Sequence, residues 1–190
     1  MMIDFTVDKL LEQTRKKNAN PGGGALVSLI GNLAINLLLM VDRKSYPTIN
    51  LEIKAQYRKK RLLEISKRLE EVMQEDIDKI NILLKAYKNE ADQKEIEIKT
   101  LSAIKPPRQT IDLVLEAMDI SDFFLENGRI EAISDGQIAN RLMKEAVMSS
   151  IINIEINQKH VTYDFDKEYI INRCNKLYDR NVEIIKGRNK

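Results

Sequence analysis

A glycine run that opens directly onto a long uncharged segment constrains this chain more than any other feature. Residues 22–24 are all glycine, and residues 25–41 carry no charge. The segment is shorter than the ~20 apolar residues that cross a bilayer as a helix. Ser28, Asn32 and Asn36 also interrupt it with polar groups. It therefore predicts a helix buried in a protein core.

The glycine run is suited to bind an anion or a carbonyl oxygen. Glycines leave backbone N–H groups unshielded, and the helix that starts there directs its unpaired amides and positive dipole end to the same place. A plain tight turn into a buried helix explains the run equally well. A Walker loop is excluded because Gly24 is followed by Ala25 and Leu26, and no strand pattern precedes the glycines as a dinucleotide fold requires.

Helical periodicity extends along almost the whole chain, and no segment alternates convincingly as a strand does. With 190 residues, we expect one all-α domain over residues 1–190, a multi-helix bundle with one long helix. Besides the apolar helix, the pattern predicts helices over residues 4–17, 51–90, 107–127, 134–157 and 164–186.

Three local signals set the expected helix ends. Pro106 and Pro107 are expected to stop the charged stretch that precedes them, so that a new helix begins near Pro107. Gly128 is expected to end that helix. Ser134, three residues before Gln137, predicts a capping box at the start of the next one.

Composition limits the kinds of partner. Thirty-one basic and twenty-nine acidic residues leave a net charge of +2, which is too balanced for a surface that binds a nucleic-acid backbone. The single cysteine, Cys174, and the single histidine, His160, form neither a disulfide nor a usual zinc site. We expect Cys174 in the core and His160 on the surface. No export signal is evident, so a cytoplasmic protein without metal, membrane or nucleic-acid partner is expected.

Asp76 is the polar residue that departs most clearly from its surroundings. It lies four residues after Val72 and four before Ile80, on the apolar stripe of the long helix. Desolvation there would raise the pKa of its carboxyl and favour a role in proton transfer. The alternative is a buried carboxylate that is satisfied by a structural partner.

Two further groups of polar residues are candidates for ligand binding. Asn153 and Asn157 lie one helical turn apart near an inner face, where paired amides can hold a heterocycle or join two helices. Arg43 and Lys44 can bind the carbonyls that end the apolar helix or a carboxylated ligand, and Tyr46 adds a ring and a hydroxyl. Asp135 either binds a ligand or simply complements its helix dipole.

These segments occur together in one order along residues 4–157. The order is Asn20, Pro21 and the three glycines; Arg43, Lys44 and Tyr46; Glu75 and Asp76; Ser134, Asp135 and Ala139; and Asn153, Ile154, Ile156 and Asn157. In this combination the chain resembles the cyclodeaminase/cyclohydrolase family, folate enzymes related to the C-terminal part of formiminotransferase-cyclodeaminase. Asn20, Ala25 and Asp42 depart from the threonine, serine and glycine that are usual in the family.

The resemblance implies a homo-oligomeric, all-helical enzyme that acts on a tetrahydrofolate derivative and needs no further cofactor. It implies Asp76 as the leading acid/base group and Asp135 as a partner for pterin N–H groups. Pro21 and residues 22–24 would form the oxyanion or carboxylate seat, and Arg43 and Lys44 would hold glutamyl carboxylates.

Two enzyme activities and one alternative follow from the resemblance. A stand-alone methenyltetrahydrofolate cyclohydrolase is slightly favoured over a formiminotetrahydrofolate cyclodeaminase, because the chain has no room for a formiminotransferase domain. A non-catalytic helical module for folate binding or protein interaction is the alternative, and the departures at Asn20, Ala25 and Asp42 favour it.

Overall fold

The computed structural model describes residues 1–17, 20–159 and 161–188, and all regular structure in these ranges is helical. The α-helices are α1 (Val7–Thr14), α2 (Gly23–Leu39), α3 (Ile49–Lys88), α4 (Gln93–Asn127), α5 (Ile133–Gln158) and α6 (Lys167–Arg188). Short 3-10 turns precede α1 and α5. The all-α class, the long helix and the buried apolar helix are thus confirmed. Within the described ranges, no helix has the length and apolarity that a bilayer crossing requires.

Helix α2 lies at the centre of the bundle, packed against α3, α4 and α5. Its Ala34, Ile35 and Leu38 are fully buried. Gly31 allows this close packing, since a Cβ at Gly31 would lie only 2.8 Å from Val114 Cγ2 on α4. An apolar helix without charges is stable in water only when neighbours cover most of it, and α2 is covered on three sides.

Polar side chains fix the register of α2 against its neighbours. Asn32 donates to the Ser66 carbonyl of α3 at 3.2 Å, and the Ser66 hydroxyl donates back to the Asn32 amide oxygen at 2.7 Å. The Ser28 and Thr110 hydroxyls lie 2.7 Å apart between α2 and α4. Buried polar groups require such partners, so these bonds favour one alignment of the helices over others.

The expectation that Pro106 and Pro107 end a helix is wrong, because α4 continues through both prolines. Each proline removes one backbone hydrogen bond and costs about 3 kcal/mol in a helix interior. Both prolines are buried, and α4 packs against α2, α3, α5 and α6. The burial of this helix on several sides outweighs the local preference. The expected end at Gly128 is confirmed, since α4 stops at Asn127.

The capping box at Ser134 is also wrong. Helix α5 begins at Ile133, so Ser134 is already helical, and its N-cap residue Ala132 supplies no side-chain bond. A 3-10 turn over Ile130–Ala132 leads straight into the helix, so the helix needs no polar cap of the usual kind. Cys174 is fully buried on α6, as expected, whereas His160 lies outside the described residues.

Gly128 should be intolerant of any side chain. A Cβ there would overlap the carbonyl oxygens of Phe124 and Val41, and backbone atoms cannot move aside cheaply. We expect Gly128→Ala to lower the free energy of unfolding by about 1–3 kcal/mol, the usual cost of overpacking, measured by thermal denaturation. Gly187→Ala is the matched control, because nothing lies within 4 Å of a Cβ at Gly187. An unchanged melting temperature for Gly128→Ala would contradict the packing described for this turn.

Candidate functional site

The carboxylate of Asp76 packs against the first turn of α2. Helix α2 begins at Gly23, two residues before the apolar segment, and Gly22 is its N-cap without a side chain. A Cβ at Gly24 would lie 2.6 Å from Asp76 Oδ2 and closer still to Oδ1. The glycine at this position is therefore what allows the carboxylate of α3 to approach the N-terminus of α2.

The environment of Asp76 favours the protonated form more than water does. Its side chain is 5% exposed. Burial raises the pKa of its carboxyl from 3.8 to about 6, and a hydrogen bond from the Ala25 backbone offsets part of that effect. A carboxyl that titrates near 6 can both take and return a proton close to neutral pH.

The N-terminus of α2 also leaves backbone donors for a ligand. The first intrahelical bond runs from Leu26 N–H to the Gly22 carbonyl at 3.2 Å. The N–H groups of the preceding helical residues therefore have no partner within the helix, and the helix dipole adds positive potential at the same end. Next to a proton-transfer group, such donors can stabilise an oxygen that becomes negative during a reaction.

The two predicted asparagines of α5 lie near this turn. A Cβ at Gly23 would lie 3.7 Å from Asn153 Oδ1. Asn157, one turn further along, borders a cavity of about 280 Å³ that is also lined by Leu83, Tyr87 and Thr100. The structure thus brings residues 22–24 and Asp76 together with Asn153, and it places Asn157 one helical turn further, at a cavity that the other residues of this group do not line. We call this group the glycine-end cluster.

Several side chains that sequence reasoning did not assign to the site hold the glycine turn in place. Asn20 and Asn81 exchange two amide hydrogen bonds of 3.0 and 3.2 Å, which tie the loop to α3. Ser28, one turn into α2, lies 3.2 Å from the Gly24 carbonyl. Pro21, which the sequence analysis did assign to the site, is buried and follows a cis peptide bond. The polar Ser28 inside an apolar helix was the available sequence signal.

One buried hydroxyl near the turn is unsatisfied. Ser150 Oγ has no hydrogen-bond partner among the described residues. Ser150 lies on α5 between Ala146, which approaches Gly31, and Asn153, which approaches Gly23. Because these three residues are spaced one helical turn apart, Ser150 lies on the side of α5 that faces the first half of α2. A buried orphan hydroxyl is a position where a water or a ligand atom would be stabilised.

Arg43, Lys44 and Tyr46 lie at the other end of α2. They line a groove of about 890 Å³ together with Asp42, Lys59 and Arg129. Asp42 accepts hydrogen bonds from the Tyr46 hydroxyl at 2.8 Å and from Lys59 at 2.9 Å. Its negative charge is thus engaged by those two groups. Burial and the bond to Asp42 raise the pKa of Tyr46, which stays a neutral donor.

Asp135 belongs to this second end as well. It lies in the first turn of α5, and the adjacent Gly136 packs against Val41, just beyond α2. With 17 residues in α2, its two ends are about 25 Å apart at 1.5 Å per residue. We call Arg43, Lys44, Tyr46 and Asp135 the basic-end cluster. Within one chain, the glycine-end and basic-end clusters cannot contact the same ring of a ligand.

The described ranges contain no group of three or more histidine, cysteine, aspartate or glutamate side chains that could hold a metal ion. The donors that converge at the glycine end are backbone amides, side-chain amides and one carboxyl. This set is suited to bind a polar organic molecule.

The buried carboxylate of Asp76 should cost stability at neutral pH. A pKa raised to about 6 means that the folded protein holds the proton more tightly than the unfolded chain, so stability falls as pH rises from about 4 through 6. The charged form above pH 6 corresponds to a cost of about 3 kcal/mol. We expect Asp76→Asn to melt about 6–12 °C higher than the parent at pH 8. The difference should vanish at pH 4, and equal melting temperatures at both pH values would contradict the burial of a charge.

Comparison with known proteins identifies the family and the fold of this chain. A family model described as formiminotransferase-cyclodeaminase matches residues 6–176. A methenyltetrahydrofolate cyclohydrolase from Methylorubrum extorquens is 22% identical over 167 residues, which cover 81% of this chain and 79% of that protein. The crystal structure of a formiminotetrahydrofolate cyclodeaminase from Thermotoga maritima has the same fold, with a TM-score of 0.88 at 19% identity over 98% of both chains. The family match spans nearly all of the sequence and confirms the resemblance, so the chain belongs to the formiminotransferase-cyclodeaminase family.

Proposed function

We propose that this protein is a folate one-carbon enzyme that hydrolyses 5,10-methenyltetrahydrofolate to 10-formyltetrahydrofolate or forms the methenyl bridge from formiminotetrahydrofolate. One observation carries the proposal. A buried carboxyl with a pKa of about 6 lies against the open N-terminal turn of a helix, where Gly24 leaves room for it. Both reactions need a proton-transfer group next to donors for a developing charge.

In the hydrolytic direction, Asp76 acts first as a base. A water oxygen bonds to the methenyl carbon while the Asp76 carboxylate takes one of its protons. The tetrahedral adduct then passes its remaining hydroxyl proton to the surroundings as the carbon–oxygen double bond forms. The bond from carbon to N5 breaks, and protonated Asp76 can return its proton to N5, so the formyl group stays on N10.

In the deaminating direction, the same carboxyl serves the nitrogen leaving group. The formimino group on N5 reacts in its protonated, amidinium form, so attack of N10 on its carbon gives a tetrahedral adduct that carries an amino group. Asp76 accepts the N10 proton and returns it to the amino group, which leaves as ammonia. The carbon then bridges N5 and N10. One acid/base residue with a pKa of about 6 thus serves both reactions.

The rest of the glycine-end cluster supplies binding. The amides of the first α2 turn stabilise the oxygen or nitrogen that gains charge in the adduct. The side-chain amides of Asn153 and Asn157 can donate to and accept from the edge of a pterin ring. The cavity beside Asn157 adds Leu83 and Tyr87 as apolar contacts. Arg43, Lys44 and Asp135 act in the same reaction only if a second chain brings them near.

Of the two reactions, we favour hydrolysis. The cyclohydrolase of Methylorubrum extorquens and the cyclodeaminase of Thermotoga maritima match this chain about equally well in sequence, so the match itself does not rank them. The proposal includes a cytoplasmic location and a homo-oligomeric state.

Asp42 does not weaken the proposal, although it stands where a glycine is usual. Lys59 pairs with its carboxylate and Tyr46 donates a hydrogen bond to it, so the charges of Arg43 and Lys44 remain for a ligand. Asn20 is used to tie the loop to Asn81. Two of the three departures thus have a structural use that leaves the glycine end intact.

The assay is the change in near-ultraviolet absorbance of methenyltetrahydrofolate, against a buffer blank. Wild-type protein should accelerate its loss, or its appearance from formiminotetrahydrofolate. We expect Asp76→Asn to lower kcat by about 10²–10⁴-fold, the usual contribution of general acid–base catalysis. The wild-type kcat for hydrolysis should rise with pH up to about 6 and level off above it. Folate binding without turnover by the wild type would instead favour a non-catalytic module.

Gly24→Ala tests whether the position of the carboxylate matters. The new methyl group would overlap both Asp76 oxygens and push the carboxyl away from the helix N-terminus. We expect a loss of kcat of at least about 100-fold in a protein that still folds, because alanine suits a first helical turn.

Gly23→Ala is the control, since its Cβ would make an ordinary contact of 3.7 Å with Asn153. It should keep kcat within a few-fold of the wild type. Equal losses in Gly23→Ala and Gly24→Ala would show that the turn matters only as flexible backbone.

A further inference from the structure

Helices α2, α3, α4 and α5 pack around a common core, and each contributes one polar side chain to the same part of it. The four residues are Ser28 on α2, Asp76 on α3, Thr110 on α4 and Ser150 on α5, and none is more than 5% exposed. The Ser28 and Thr110 hydroxyl oxygens lie 2.7 Å apart. The Asp76 carboxyl meets α2 at Gly24, one helical turn before Ser28. We call these four residues the polar layer.

The packing of α5 against α2 places Ser150 at this level. A Cβ at Gly31 would lie 3.7 Å from Ala146, and a Cβ at Gly23 would lie 3.7 Å from Asn153. The two helices are therefore antiparallel. Ser150 lies one turn from each of these α5 residues, so it faces the stretch of α2 between the two glycines.

The next layer toward the middle of the bundle is apolar and tightly packed. A Cβ at Gly31 would lie 2.8 Å from Val114, 3.7 Å from Ala146 and 3.8 Å from Leu69. The side chains of the polar layer are smaller, two serines and a threonine, and Gly24 beside them has none. The polar layer therefore fills less of the core than the layer below it does.

The hydroxyl protons of Ser28 and Thr110 both have acceptors. Ser28 Oγ lies 3.2 Å from the Gly24 carbonyl oxygen, and Thr110 Oγ1 lies 3.1 Å from the Pro106 carbonyl oxygen. Whichever hydroxyl donates to the other, the second one donates to the carbonyl of its own helix. This pair needs no further acceptor, but its oxygens can still accept a hydrogen bond.

Ser150 and Asp76 have complementary hydrogen-bonding capacity left over. The Ser150 hydroxyl has no partner among the described residues. The Asp76 carboxyl accepts a hydrogen bond from the Ala25 backbone, whereas an ionised carboxyl has about four acceptor sites. A buried hydroxyl without a partner costs folding free energy, and a water with polar partners removes that cost.

We infer that one buried water lies in the polar layer, where it accepts the Ser150 hydroxyl proton and donates to the core-facing oxygen of the Asp76 carboxyl. Its second hydrogen points to a hydroxyl oxygen of the Ser28–Thr110 pair, which gives the water three partners, about the usual number for a buried water. Ser150 is thereby a positioning residue, because the water holds one carboxyl oxygen and leaves the other turned toward the open turn of α2. The effect on catalysis rests on the proposed function, whereas the water site does not.

This water is not the nucleophile of the proposed hydrolysis. Ser150 faces α2 beyond Gly24, on the side away from the open turn, and is 1% exposed. A substrate that reaches the glycine-end cluster contacts the opposite side of Asp76. The water therefore acts through the carboxyl and not on the methenyl carbon.

Asp76 has no charged neighbour that would obscure the effect of this water. Among the described residues, burial and the Ala25 bond are what shift the pKa of its carboxyl. Helix α2 carries no charged residue, and the α4 and α5 members of the polar layer are hydroxyls. On α3 itself, Glu75 pairs with Arg68 at 2.8 Å, and Lys79 bonds to α4.

A high-resolution crystal structure of the full chain at pH 8, without any folate, tests the water directly. We expect density for a water within about 2.7–3.2 Å of both Ser150 Oγ and an Asp76 carboxyl oxygen. The same density should be absent from Ser150→Ala. A Ser150 hydroxyl that donates directly to a protein oxygen, or that lies in a dry contact, would overturn the site.

Thermal denaturation at pH 8 tests whether the Ser150 hydroxyl has a partner in solution. Removal of a hydrogen-bonded hydroxyl destabilises a protein, whereas removal of a dry one stabilises it. We expect Ser150→Ala to melt about 2–5 °C lower than the wild type. Ser149→Ala is the matched control, because Ser149 is the half-buried neighbour on the same helix, and its melting temperature should stay unchanged. An equal or higher melting temperature for Ser150→Ala would contradict the water.

A carbon NMR titration of the Asp76 carboxyl tests the positioning role without any folate. The water donates to the charged form, so its loss in Ser150→Ala should raise the pKa of Asp76 by about 0.5–1 pH unit above the wild-type value. Ser149→Ala should keep the wild-type midpoint. An unchanged midpoint in Ser150→Ala, whatever its stability, would overturn the bond between the water and the carboxyl.

The absorbance assay of methenyltetrahydrofolate tests the effect on catalysis. We expect Ser150→Ala to lower kcat about 10-fold and to keep KM within about twofold of the wild type, because a mispositioned carboxyl affects the reaction more than binding. The rise of kcat with pH should move upward by the same amount as the NMR midpoint. A wild-type kcat in Ser150→Ala, or a lower kcat with an unmoved pH profile, would overturn the positioning role.

The inference and the proposed function fail separately. A wild type that turns over neither folate, but whose Asp76 midpoint rises in Ser150→Ala, would reject the proposed function and leave the water site in place. An active wild type whose Asp76 midpoint does not change in Ser150→Ala would reject the positioning role and leave the proposed function in place.

Discussion

The close contact between the Asp76 carboxyl and the first turn of α2 is the constraint on which the rest of the structure depends. It requires Gly24, because any side chain there would overlap the carboxyl oxygens. It also requires α3 to run antiparallel to α2 in one register, which the bonds between Asn32 and Ser66 maintain. Burial of the ionised Asp76 carboxyl at this contact is unfavourable for folding. The same burial raises the pKa of the carboxyl to about 6, which suits proton transfer.

Helix α2 is apolar both on the sides that its neighbours cover and on the side that they leave exposed. As the central helix it must be apolar to pack against three neighbours. Its fourth side carries the same kind of residue although no part of the described chain covers it, with Leu33 and Met40 more than half exposed. A rigid helix of fixed length also keeps its two ends apart.

The fold and one end of the site were predictable because helical periodicity is a strong local signal. The burial of Asp76 was predictable because a carboxylate lay on an apolar stripe of the long helix. The prolines were misread because local propensity, about 3 kcal/mol per proline, was outweighed by the burial of Pro106 and Pro107 in a helix that packs against four others. Ser134 was misread because a 3-10 turn preceded the helix. The separation of Arg43 and Asp135 from Asp76 was not visible, since order along a chain does not tell which ends of antiparallel helices meet.

The most direct test of the account is a titration of the Asp76 carboxyl followed by carbon NMR of selectively labelled protein, assigned by its loss in Asp76→Asn. The account predicts a midpoint near pH 6 in the wild type, because burial beside the α2 turn raises the pKa of this carboxyl. A midpoint near 4, the value of a carboxyl in water, would mean that Asp76 is hydrated. The role that we propose for it, as the proton-transfer group of a folate enzyme, would then lose its physical basis.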